Sequence, residues 1–329
     1  MINFGIVIIG RNEGERLRRC FASIPPSVPR EMIVYVDSGS TDQSVNFAQS
    51  LDVFVVRLDM SIPFSAGRAR NEGFNCLTRM HRELRFVQFI DGDCELCAGW
   101  FEVAEAYLAQ HENCVVVAGR TIEKFPQKSI YNFLCDIEWK TTFGKVSSCG
   151  GIFMIRKEPF MGIGGFNQDV TAGEEPEMCY RLRKLGWEIH RLDDRMVLHD
   201  AAMTTFAQWW KRAMRGGYSY AQGYALHGKG HEKYCLKESL RIWGWGGMVP
   251  GAILILTMVF GAWCLLVLAV YPAQLVRVAF NANKRFSHWR HSLVYAGFNI
   301  LGKWPELCGQ IKFWSGKFFR KTPLLIEYK

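Results

Sequence analysis

Phe86-Val87-Gln88-Phe89-Ile90-Asp91-Gly92-Asp93 is the stretch on which the reading of this chain turns. Its five mostly apolar residues suit a buried strand, and two carboxylates one residue apart follow at its end. With glycine between them, both acids can turn towards one hard cation. Mg2+ and Mn2+ favour such oxygen ligands, with phosphate oxygens completing the shell. Asp-Gly-Asp is also an ordinary turn, so its surroundings decide. Upstream, Phe4–Ile9, Met32–Val36 and Val53–Val56 read as further strands. Between them lie helical patterns: Leu17, Cys20, Phe21 and Ile24 before Pro25-Pro26, then a helix capped by Ser40-Thr41-Asp42, then Arg68–Met80. Downstream, Trp100–Ala109 reads as a helix and Val115–Ala118 as a strand. Such alternation predicts an α/β fold, a mostly parallel Rossmann-like sheet with flanking helices. Ligands of such sheets sit beyond the C-terminal strand ends, where Asp37, Asp91 and Asp93 lie.

The second half is less regular. Ile152–Ile155 reads as a strand after Gly150-Gly151, and Glu174-Glu175-Pro176-Glu177 opens a helix that Gly186 stops. The acids there are either plain helix capping or a general base, Glu175, near a metal-bound substrate. His199, after the short runs Glu188–Leu192 and Met196–Leu198, is either a third metal ligand or a hydrogen-bonded core histidine. Arg68, Arg70 and Asn71 open their helix with basic groups that either suit an anionic or nucleotide ligand or form a solvated charged face. Trp209, Trp210, Lys211 and Arg212 either clamp a diphosphate or cover the acceptor; the indoles also suit a membrane interface. Residues 120–150 carry no legible pattern, although Asp136, Glu138 and Trp139 are candidates for the acceptor side.

The 329 residues are 49% hydrophobic and 22% charged, which excludes a disordered or low-complexity chain. The net charge of +9 is unevenly placed: the last 53 residues, from Arg277 to Lys329, hold ten Lys and Arg against Glu306 and Glu327. Eleven cysteines show no paired framework, as expected of reduced thiols in a cytosolic compartment. The N-terminus reads as a strand and not a signal peptide. Trp243–Val276 is an uncharged run of 34 residues, long for one upright span and short for two. With basic residues following it, a helical hairpin on the cytoplasmic face of the cell membrane is expected, its basic tail against anionic headgroups. The alternative is a buried helical pair in a soluble protein. Lipid headgroups are the nearer anion for the tail, so no nucleic-acid partner is expected.

Together these residues resemble the family 2 glycosyltransferases, inverting enzymes of GT-A fold. The resemblance rests on Arg11-Asn12-Glu13, Asp37-Ser38-Gly39-Ser40-Thr41-Asp42, Ala69-Arg70-Asn71-Glu72-Gly73, Asp91-Gly92-Asp93, Gly164-Gly165-Phe166 and Gly173-Glu174-Glu175-Pro176-Glu177-Met178-Cys179-Tyr180-Arg181-Leu182, in the family's order. It implies that Asp37 contacts the nucleotide base with Arg70 nearby, and that Asp91 lies over the ribose. It also implies that Asp93 holds Mn2+ or Mg2+ on the diphosphate; Asp91 and His199 are the further candidate ligands that the residues themselves offer. Arg11, Glu13 and Arg212 complete the expected donor site. The family's base is the Asp of a Glu-Asp pair; here that position is Glu175, with Glu174 beside it.

The implied protein is a GT-A domain over residues 1–240, with membrane-associated helices and a basic tail over 241–329. It would move a sugar from a nucleotide-sugar, a UDP-sugar for preference, to a lipid-linked or saccharide acceptor in polysaccharide or glycolipid synthesis. Two alternatives belong to other classes. A nucleotidyltransferase of related fold needs a Gly-rich phosphate loop after the first strand, where Glu13 stands. A non-catalytic membrane-associated binding module would have no use for every acidic motif.

Overall fold

The computed structural model describes residues 3–286 and 288–319; of the basic tail, Arg320, Lys321, Glu327, Lys329 and the side chain of Arg285 lie outside them. Two compact units divide between Ala202 and Met203.

The first unit runs β1 (Phe4–Gly10), α1 (Glu15–Ala22), β2 (Ile33–Asp37), α2 (Ser44–Gln49), β3 (Phe54–Arg57), α3 (Ala66–Met80), β4 (Phe86–Asp91), β5 (Cys94–Leu96) and α4 (Trp100–Gln110). It continues with β6 (Cys114–Glu123), α5 (Ile130–Trp139), β7 (Gly144–Val146), β8 (Phe153–Arg156), α6 (Lys157–Gly162), α7 (Glu174–Lys184) and β9 (Glu188–His199). One sheet holds all nine strands in the order β3-β2-β1-β4-β8-β6-β9-β5, with β7 also on β9. The expected α/β sheet is present. It is parallel from β3 to β4 and mixed beyond, because β8 enters antiparallel between β4 and β6.

Phe4 to Ile9 are all buried, as a strand covered on both faces requires, and each such side chain contributes roughly 1.5–3 kcal/mol by leaving water. Helix α3 lies directly on these strands. A Cβ at Gly73 would stand 2.4 Å from Val7 and 2.8 Å from Val36, so only glycine permits the approach. Lower on the same helix, Leu77 packs over Gly5. Arg70 is one turn further towards the C-terminal strand ends, which is what delivers it to Asp91.

Glu188–Leu192 and Met196–Leu198 form one strand, β9. Between them Asp193, Asp194 and Arg195 are exposed where the ladder to β6 slips register. The bulge keeps the strand continuous although its apolar pattern lapses.

The second unit comprises α8 (Phe206–His227), α9 (Leu236–Trp243), α10 (Val249–Phe260), α11 (Val270–Phe286), α12 (Trp289–Leu301) and α13 (Lys303–Phe318). Trp209 is buried against Phe298, with ring centroids 5.0 Å apart, and so belongs to this unit's core. Gln208 completes a capping box with Thr205 at the start of α8. Leu236–Phe260 and Ala262–Lys284 are 25 and 23 residues long, with mean hydropathies of 1.6 and 1.7, long and apolar enough to cross a membrane. Gly261, at φ +101°, separates them. Met258 and Leu266 are 75% and 77% exposed, and only 17% and 11% of the most apolar stretch of each segment is buried, unlike the core helices of a soluble protein.

Candidate active site

The ends of β1, β2 and β4 lie side by side, with Gly10 opposite Asp37 and Ile9 opposite Asp91. Asp37 is buried. Its Oδ2 accepts from the Gly39 and Ser40 amides, both at 3.0 Å, and its Oδ1 from the Tyr35 hydroxyl at 3.3 Å. Burial, reinforced by the Asp37 charge, pushes the Tyr35 phenol well above its ordinary pKa, so it remains a donor. Asn12, at φ +55°, links the two neighbouring loops. Its Oδ1 accepts from the Thr41 amide at 2.7 Å, and its own amide donates to Ser40 Oγ at 2.9 Å. Arg11 is exposed on this loop, and Glu13 pairs with Arg16 at 2.7 Å while its chain lies against Gly92.

Arg70 is the hub. It is 3% exposed; Nη2 donates to Asp91 Oδ1 at 2.7 Å and Nη1 to Glu174 Oε1 at 3.3 Å. Burial opposes its charge, but the two carboxylates outweigh burial and raise its pKa, so the guanidinium stays ionised. Its two neighbours have other work. Arg68 donates to the carbonyls of Asp59, Ile62 and Pro63, and Asn71 holds the amide and carbonyl of Phe166. Of the three polar residues opening α3, only Arg70 reaches the acids.

Asp93 lies just beyond Asp91. The antiparallel pairing of β5 with β9 sets Cys94 opposite His199, and this brings His199 Nε2 to 3.4 Å from Asp93 Oδ1. Asp93, Cys94 and His199 form a cluster of possible ligands. His199 Nδ1 is buried with no hydrogen-bond partner among the described residues, 4.0 Å from Glu123 Oε2. The Trp139 ring meets His199 edge-on at 4.6 Å. Carboxylate and imidazole donors beside an orphaned ring nitrogen fit a divalent cation such as Mn2+.

The three acids of α7 face different partners. Glu174 meets Arg70. Glu177 pairs with Arg181 at 2.9 Å, and Arg181 holds the carbonyls of Ile163 and Gly165. Glu175 is buried, and its Oε1 accepts from the Cys149 amide at 2.8 Å, the Cys149 thiol at 3.2 Å and the Cys179 thiol at 3.0 Å. Burial raises its pKa, opposed in part by those bonds and by the Gly150 amide. Glu175 thereby anchors the loop 149–151, whose Gly151 abuts Arg70 and Asp91.

Two contributors escaped the sequence reading. Glu123 stands beside His199 through the β6–β9 pairing, and Gly151 lines the Arg70 hub. The Gly150-Gly151 pair was a visible signal for the second; Glu123 carried none. Arg212 lies on α8, in the second unit. Asp136 pairs with Lys140 at 2.7 Å, and Glu138 lies on the same helix, α5.

Two family profiles match the chain: glycosyl transferase family 2 over residues 5–163, and glycosyl transferase family group 2 over residues 91–302. Polypeptide N-acetylgalactosaminyltransferase 6 of Bos taurus is 24% identical over 229 residues, 59% of this chain and 36% of its own length. The chain thus spans about a third of the curated relatives it matches. Among solved structures, a mannosyltransferase from Pyrobaculum calidifontis in complex with GDP-Man and Mn2+ aligns with a TM-score of 0.59 and 16% identity, covering 91% of this chain and 87% of that one. TarS of S. aureus aligns with a TM-score of 0.50 and 16% identity, over 92% of this chain and 54% of its own.

Proposed function

The chain belongs to the family 2 glycosyltransferases, and on that premise we propose that it is a metal-dependent inverting enzyme using a nucleoside diphosphate sugar. A UDP-sugar is the first donor to try. The observation that carries the proposal is the ion-paired series Glu174–Arg70–Asp91, centred on the buried Arg70, beside the Asp93–His199 pair at the C-terminal ends of the central strands. The complex of the P. calidifontis mannosyltransferase with GDP-Man and Mn2+ supports the same class of donor and ion.

Asp93, with Asp91 and His199, would hold Mn2+ or Mg2+. Bound there, the ion would neutralise charge on the departing nucleoside diphosphate. Asp37, Arg11 and Glu13 lie around the loops that would receive the nucleoside, and Arg70 fixes Asp91 for the ribose. Glu175 is proposed to take the proton of the acceptor hydroxyl as its oxygen attacks the anomeric carbon. The bond to the diphosphate breaks on the opposite face, its electron pair leaves with the nucleoside diphosphate, and the centre inverts. A carboxylate with a raised pKa is the better proton acceptor of the two neighbours, whereas Glu174 is committed to Arg70.

Residues 1–240, which include Arg212, would form the catalytic domain, and 241–329 the membrane attachment. The exposed apolar helices support a lipid-linked or membrane-proximal saccharide acceptor at the cytoplasmic face. The decisive experiment is nucleotide release from a panel of nucleotide-sugars in detergent, with and without Mn2+. Turnover that ignores the metal would remove the metal role, and release from no donor would remove the proposal.

A further inference from the structure

The second unit holds a cavity that the transfer reaction does not use. Its surroundings change in order along the two apolar helices. Near the break at Gly261 stand exposed Met258, Phe260, Trp263 and Leu266. Further from the break is a set of aromatic rings. The Tyr271 hydroxyl donates to the Trp245 carbonyl at 2.9 Å, and the Tyr271 ring lies 5.8 Å from Trp245 and 6.1 Å from Trp304. Beside them, with Trp245 in its wall, a cavity of about 320 Å³ opens, whose polar lining is Arg241, Gln274, Arg277, Asn281, Asn299 and Lys303.

This lining is not what an apolar helix pair produces by chance packing. Gln274, Arg277 and Asn281 recur at helical spacing on one face of α11. Arg241 comes from α9, Asn299 from α12 and Lys303 from the start of α13, so four helices converge polar groups on one space. Among the described residues no carboxylate lines it. Lys303 pairs with Glu306 at 2.6 Å, but among the described residues Arg241 and Arg277 have no ion pair and no side-chain hydrogen bond. Unpaired guanidinium forks beside amide donors match the oxygens of a phosphate group. Tryptophan and tyrosine settle at the level of lipid headgroups, so the rings fix the depth of the cavity just on the aqueous side of the acyl chains.

We propose that this cavity binds the phosphate of an anionic membrane lipid headgroup. The proposal rests on the membrane attachment proposed above and adds to it a specific site.

The test uses the full-length protein and co-sedimentation with vesicles of phosphatidylcholine alone or with phosphatidylglycerol as a minor component. The wild type should bind the anionic vesicles more tightly. Diffuse attraction alone loses about fivefold for each cation removed from such a surface, so Arg241→Gln with Arg277→Gln, which also removes the site, should lose well over ~25-fold on anionic vesicles. Binding to phosphatidylcholine alone should be unchanged, because the apolar helices are intact. Asn281→Asp, an exposed substitution that places a negative charge in the cavity, should give a loss of the same sign. Lys312→Gln with Lys317→Gln, equal in charge but outside the cavity, should lose much less. An equal loss there would mean diffuse attraction and overturn the site. Inorganic phosphate that displaces the protein from anionic vesicles, at equal ionic strength, would reassign the cavity to a soluble anion. Binding to phosphatidylcholine with no gain from phosphatidylglycerol would refute the site alone. No binding to either vesicle would refute the membrane attachment as well.

Discussion

Replacing Gly151 by alanine tests whether the Arg70 hub is a catalytic support. The added Cβ would stand 2.6 Å from Arg70 Nη2 and 3.5 Å from Asp91 Oδ2. Ordinary contact begins near 3.4 Å, so the shortfall is about 0.8 Å. In an exposed arginine the side chain would swing aside at little cost. Here the guanidinium is 3% exposed and held by Asp91 and Glu174, so relief must come from displacing that group or the loop 149–151. Losing a partner of a buried pair outright costs roughly 3–5 kcal/mol; stretching one costs less, and a stability loss of about 1–2 kcal/mol is expected. Activity should suffer more. Misplacing a positioning group by about 1 Å costs on the order of 100-fold in rate, so kcat/KM for donor transfer should fall by about that factor. The assay is nucleotide release by wild type and Gly151→Ala at saturating Mn2+, with thermal denaturation alongside. Wild-type kcat/KM in a folded variant would show that Arg70 and Asp91 need not keep this geometry.

Glu175→Gln should nearly abolish transfer while leaving donor affinity close to wild type, whereas Glu174→Gln should weaken donor binding through Arg70; an active Glu175→Gln enzyme moves the base to Glu174. The raised folded pKa of Glu175 means that its contribution to stability is fully present below the ordinary glutamate value and is lost as pH rises through the raised one. Melting temperatures of wild type and Glu175→Gln should therefore converge in acid and separate towards neutral pH in favour of the glutamine variant, and parallel curves would contradict the assignment. Asp93→Ala should remove turnover at any Mn2+ concentration, and retained activity would sever Asp93 from the metal. Met258→Asp with Leu266→Asp puts charge on the exposed apolar helices at roughly 2.5–3.5 kcal/mol per residue in a bilayer, so flotation with phosphatidylcholine vesicles should be lost; undiminished flotation would place these helices outside the membrane.

The central strands were legible because local sequence imposes them. Phe4–Ile9 is apolar and Phe86–Ile90 nearly so, and the acids that end β2 and β4 necessarily share one edge of a parallel sheet. Asp37, Asp91 and Asp93 could thus be placed from the chain alone. The region 120–150 could not be read. Helix α5 takes its place from the Ser129 cap and from Glu123, whose Oε1 accepts from Asn132 at 3.0 Å. Such a contact leaves no periodic trace. Strand β8 was visible as an apolar run, but its antiparallel direction is set by its neighbours β4 and β6 and not by its composition.

What the sequence by itself determined is therefore the parallel core, the acidic motifs at its edge and the uncharged segment behind it. Each is a local pattern whose consequence, burial or charge, is felt by the same few residues. Only the tertiary structure decided which groups meet. His199 reaches Asp93 because β5 and β9 pair with Cys94 opposite His199, across more than a hundred residues of chain. Arg70 joins Asp91 and Glu174 because Gly73 lets α3 settle onto β1 and β2. Three adjacent acids, Glu174, Glu175 and Glu177, part towards an arginine of α3, a pair of thiols and an arginine of their own helix. Those separations follow from the 100° turn per residue of a helix and from what packs on each side of it, and a sequence specifies the turn but not the neighbours.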